Sequence, residues 1–127
     1  MKGGLPQLDA STKTFFESLV PVGPRVEIRP MFGNVAAFLN GHMFAGVLGD
    51  TVFVRLEAVD REEFLRGSGS ATFEPVKGRP MREYVTLPAA WGRDEARARS
   101  WIERSIAWVA TFPPKKVTKR TRPASRR

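Results

Sequence analysis

The chain of 127 residues contains no cysteine, one histidine and one tyrosine. The missing thiols exclude disulfides, thiolate chemistry and Cys-ligated metal. One imidazole cannot make a metal site by itself, and no cofactor is implied. The opening residues, Met-Lys-Gly-Gly-Leu-Pro-Gln, lack the apolar run of a secretory signal, and no other stretch approaches membrane-spanning length. The expectation is one cytoplasmic domain, long enough to bury a core without staples.

Acidic residues are also missing where the cations gather. Residues 115–127 hold seven of the 21 Lys and Arg residues and none of the 13 Asp and Glu. These are Lys115, Lys116, Lys119, Arg120, Arg122, Arg126 and Arg127. The pI of about 10.8 is therefore a property of this segment, while residues 1–114 are nearly balanced. The segment has no large apolar residue after Val117 and is expected to be a disordered basic tail. Such a tail can follow a phosphate backbone and release counterions without defined structure, giving weak, sequence-blind affinity for nucleic acid.

What the chain does have is a run of strand signals. Residues 34–56 read as an antiparallel meander whose two-residue turns, Asn40-Gly41 and Gly49-Asp50, suit the positive φ of hairpin turns. Those turns place Leu39 opposite His42 and Leu48 opposite Thr51. Counting outward puts Ala36, Phe38, Met43, Ala45, Val47, Val52, Val54 and Leu56 on an apolar core face. The other face then holds Val35, Ala37, Leu39, His42, Phe44, Gly46, Leu48, Thr51, Phe53 and Arg55.

Further strands are expected near 25–29, 71–75 and 83–88, with Pro30 confining the first to an edge or ending it. Three helices are expected at about 9–20, 60–67 and 94–112. For the second, Asp60 and Glu63 suggest a capping box, with Val59 and Phe64 as the staple. Segregated helices and strands argue an α+β, two-layer domain over residues 1–114, with an antiparallel sheet of five to six strands.

Three surfaces are candidates for function. Phe44, Phe53 and Arg55 share the second meander face, where they can stack on bases, bind a protein, form a homodimer seam, or lie under one of the chain's own helices. Lys77, Arg79 and Arg82 surround Gly78 and can gather an anion, although the loop lacks P-loop glycine spacing. Met31-Phe32-Gly33 and Met43-Phe44 read as core packing around a backbone position that needs glycine.

No catalytic set accompanies them, since local spacing places no carboxylate or hydroxyl to orient His42. An enzyme would need His42 and Arg55 in one cleft with a distant carboxylate.

Several motifs occur in one order: Pro-Met-Phe-Gly at 30–33, Asn-Gly-His-Met-Phe-Ala at 40–45, Phe-Glu-Pro at 73–75, Gly-Arg-Pro-Met at 78–81 and Tyr-Val-Thr-Leu-Pro at 84–88. With the Trp101 helix they resemble the TfoX/Sxy N-terminal domain family across roughly residues 25–110. The resemblance implies a small, non-enzymatic α+β regulatory or interaction module, the namesakes being competence regulators that act on transcription. The second, C-terminal domain of full-length namesakes is not seen in this sequence, and Asn34 stands where a second glycine is often found. The expected function is thus a regulatory module whose basic tail touches nucleic acid. The alternative is a protein-interaction or homodimerisation module using the Phe44/Phe53/Arg55 face, with no nucleic-acid role.

Overall fold

The structure, a computed structural model, describes residues 6–68, 71–91 and 94–114. The disorder expected for residues 115–127 and the seven cations there lie outside the described residues.

The elements run α1 (Ala10–Leu19), β1 (Val26–Met31), β2 (Asn34–Leu39), β3 (His42–Leu48), β4 (Thr51–Arg55), α2 (Ala58–Ser68), β5 (Thr72–Val76), β6 (Arg79–Thr86), a 3₁₀ turn at Ala89–Trp91, and α3 (Glu95–Val109). The strands form one six-stranded sheet, antiparallel throughout, in the order β1-β2-β3-β4-β6-β5. This is the α+β architecture expected from the sequence. Both outer strands carry a proline, Pro30 in β1 and Pro75 in β5. Among the described residues, no helix is long and apolar enough to cross a membrane.

Local chemistry starts and stops the elements. Asp9 caps α1 by accepting from the Thr12 amide at 2.9 Å, and Asp94 caps α3 by accepting from the Arg97 amide at 3.1 Å. Asn40 and Gly41, at φ 52° and 86°, form the β2–β3 turn, and Gly49, at φ 66°, opens the β3–β4 turn. Leu39 faces His42 and Leu48 faces Thr51, as those turns require.

Between the turns the count slips. Phe38 pairs with Met43 but Ala37 pairs with Ala45, so Phe44 is an extra residue, a β-bulge in β3. One inserted residue reverses which side of the sheet the rest of β2 presents. The expected faces are corrected accordingly. Val35, Ala37, Leu39 and Phe44 join Ala45, Val47, Val52, Val54 and Leu56 in the main core under the helices, with Phe16, Leu19, Phe64, Ile102 and Val109. Met43 belongs instead to the opposite face, where it packs with Met31, Leu48 and Met81 around a second cluster of Phe53, Phe73 and Tyr84.

Two smaller expectations also change. Helix α2 starts at Ala58, so Val59 is 72% exposed and staples nothing. The residues expected to form its capping box, Asp60 and Glu63, instead grip Arg104 of α3 at 3.3 and 3.0 Å. The strands expected near 71–75 and 83–88 run on as β5 and β6 to a two-residue turn, Lys77-Gly78, with Gly78 at φ 84° and Val76 paired to Arg79.

Candidate functional site

The interaction surface expected from Phe44, Phe53 and Arg55 does not form. Phe44 and Phe53 are wholly buried, and in different clusters. The bulge turns Phe44 towards the helices, where the Ser105 hydroxyl of α3 donates to its carbonyl at 3.0 Å. Phe53 stays on the other face, but the β5–β6 hairpin covers it. The Phe73 ring stacks on it at 4.2 Å with 10° between planes, and Tyr84 meets it edge-on at 5.7 Å. The cover is a hairpin rather than a helix.

Arg55 anchors a cross-brace. Its Nε and Nη2 donate to Glu83 Oε1 at 2.8 and 2.7 Å, and its Nη1 donates to the Met43 carbonyl at 3.3 Å. The Tyr84 hydroxyl donates to the same carbonyl at 3.2 Å. Burial pushes the Tyr84 phenol up to about 12; the Glu83 charge adds to this and the Arg55 charge opposes it. The phenol is therefore a neutral donor at any physiological pH.

His42 lies on the helix side of the sheet, beside the end of α3. Its Nε2 is 2.7 Å from the Pro113 carbonyl, and its ring meets Phe112 edge-on at 5.2 Å. A carbonyl oxygen only accepts, so Nε2 carries the proton and donates. The Arg55 guanidinium lies 5.0 Å from the centre of the same Phe112 ring. His42 and Arg55 thus hold the end of α3 from two sides, and the carboxylate present, Glu83, is paired with Arg55. The arrangement ties the end of α3 to the sheet.

Lys77, Arg79 and Arg82 are exposed on the β5–β6 hairpin. The Gly78 amide that an anion would seek is already bonded to the Glu74 carboxylate. An incoming phosphate must therefore meet the side-chain cations rather than a backbone nest.

A cleft of about 280 Å³ opens between Phe15, Leu87 and Trp91, with Asp9, Asp50 and Asp94 at its margin. Asp9 and Asp94 are occupied as helix caps. Among the described residues, no group of three His, Cys, Asp or Glu side chains is placed to hold a metal ion.

Two features escape sequence reasoning. Asn34, 2% exposed, accepts from the Gly49 amide at 2.8 Å and donates to the Pro6 carbonyl at 3.0 Å, tying the segment before α1 to the β3–β4 turn. Its only signal is an amide where the family pattern prefers glycine. Phe32 was expected in the core, yet it is 80% exposed at the tip of the β1–β2 hairpin with φ 52°.

A single six-stranded antiparallel sheet with helices packed on one face and an aromatic cluster on the other defines a small α+β domain. Residues 17–108 match the TfoX N-terminal domain, so the chain belongs to that family. Comparison with curated proteins returned no match.

Proposed function

We propose that this chain is a non-enzymatic regulatory module of the TfoX N-terminal type, and that residues 115–127 give it weak, sequence-blind affinity for nucleic acid. The observation that supports the second part is charge segregation: seven of 21 cations, and no carboxylate, fall in that one segment. Counterion release supplies affinity for any polyanion in proportion to the phosphates neutralised. The regulatory part rests on the family to which the chain belongs. The role of the one histidine as a tether to Pro113 is in keeping with a binding module.

Duplex DNA retardation across a salt series, with the full chain and with a full-length variant whose seven cations from Lys115 to Arg127 are replaced by serine, tests the reading. If roughly six phosphates are neutralised, log K falls against log salt with a slope of about −5 to −6. The serine variant is expected to bind duplex too weakly to retard it. Equal retardation by both chains sinks the proposed role of residues 115–127.

A further inference from the structure

The end of α3 is fixed in place, and a groove opens beside it. The Pro113 carbonyl accepts from His42 at 2.7 Å, so the chain beyond it leaves the body at a defined point. That point lies at the end of the sheet where His42 opens β3. The β3–β4 register, with Ala45 opposite Val54, carries Arg55, Leu56 and Glu57 towards the same end. There a groove of about 490 Å³ lies between α2 and α3, lined by Glu57, Asp60, Arg104, Ala107, Trp108 and Thr111.

Carboxylates are in excess at this groove. Arg104 is the cation among its lining residues, and it is shared by Asp60 at 3.3 Å and Glu63 at 3.0 Å. The Arg61 guanidinium, next to Asp60 in sequence, is bonded to the Leu56 carbonyl at 2.8 Å. Glu57 is exposed and has no ion pair among the described residues. The groove therefore suits a cationic segment.

The most cationic stretch of the chain begins just past Pro113. Lys115, Lys116 and Lys119 follow within six residues, a reach of about 20 Å at most, whereas the groove from Thr111 back to Arg104 is about 10 Å long. These three cations can thus lie anywhere along it. We propose that residues 115–119 dock in the groove between α2 and α3, and that this intramolecular seat competes with nucleic acid for the same cations. The competition rests on the affinity for nucleic acid proposed above; the docking does not.

Attachment this close gives the segment an effective concentration of about 1 mM at the groove, an advantage that a basic segment of another protein lacks. A seat with an intrinsic dissociation constant of about 0.2 mM then leaves about one-sixth of the molecules undocked. Only those offer every cation to a phosphate backbone, so apparent affinity falls about sixfold.

Two measurements on the full chain test this. In amide NMR spectra, serine at the seven cations of residues 115–127 is expected to shift the resonances of residues 57–61 and 104–111 and to leave those of β1 in place. In duplex titrations at about 0.15 M salt, exposed charges are screened beyond about 8 Å. Under those conditions Glu57→Gln with Asp60→Asn is expected to tighten binding about three- to sixfold, with Glu63 still holding Arg104. Glu17→Gln with Glu27→Gln removes equal charge outside the groove and should change binding by less than about twofold.

Groove resonances that ignore serine replacement overturn the docking, whatever the duplex does. Shifts that grow with protein concentration place the segment in a second copy's groove and overturn it as well. Equal tightening by the two carboxylate pairs overturns the competition. A full chain that never retards duplex sinks the proposed affinity for nucleic acid, while the amide shifts still decide the seat.

Discussion

Gly46 and Phe53 form a single packing unit across β3 and β4: a Cβ at position 46 would lie 2.4 Å from Phe53 Cζ and 3.0 Å from the Val35 carbonyl oxygen. The Phe53 ring occupies the space that a side chain at 46 would need. Gly46→Ala is therefore expected to cost about 2–3 kcal/mol by overpacking, a fall of roughly 10 °C in Tm. Thermal unfolding checks this, and Phe53→Leu in the Gly46→Ala background should recover part of the loss. A double-mutant cycle with no coupling would mean that the two positions do not share space.

Asn34 satisfies two backbone groups from segments far apart in sequence. Asn34→Leu leaves the buried Gly49 amide and the Pro6 carbonyl without this partner, at an expected cost of about 1–3 kcal/mol. Amide exchange at Gly49 should accelerate more than exchange in the centre of β3.

Tyr84 is the one tyrosine in the chain, so its titration is readable from tyrosinate absorbance alone. The phenol is raised from its ordinary 10.0 to about 12 in the fold. A raised phenol pKa means that the folded state keeps its proton longer than the unfolded state. The corresponding stability is full below pH 10.0 and drains away as pH rises towards about 12. Wild type is expected to show this loss against Tyr84→Phe, which has no phenol to titrate. Half-ionisation near pH 10 in the folded protein would remove Tyr84 from the buried brace.

Ser105 is fully buried and donates to the bulged Phe44 carbonyl. Ser105→Ala is expected to cost about 1–2 kcal/mol, seen as a lower denaturant midpoint with unchanged slope. A changed slope would instead indicate an altered denatured state or lost two-state behaviour.

The turns were legible because they are local: Asn40-Gly41 and Gly49-Asp50 carry their backbone requirement in two residues, and the pairing beside each follows at once. The bulge was not. Met43, Phe44 and Ala45 are all apolar, so an extra residue among them leaves the apolar pattern undisturbed while reversing the faces of β2. The Phe32-Gly33 hairpin was hidden for the opposite reason, since phenylalanine is a poor residue for positive φ. His42 could not be placed because its partner, Pro113, lies 71 residues away. Of the candidate surfaces, the cations of the β5–β6 hairpin were legible and are exposed, whereas Phe44 and Phe53 needed the register and the hairpin cover to be seen as interior.

The prolines of the two outermost strands have a consequence for the protein in concentrated solution. An open sheet ends in two rows of backbone groups that invite further strands, and each such row here is interrupted where Pro30 or Pro75 offers no N–H. Lateral growth into fibres is thereby discouraged at both rims, so crowding should leave the sheet at six strands.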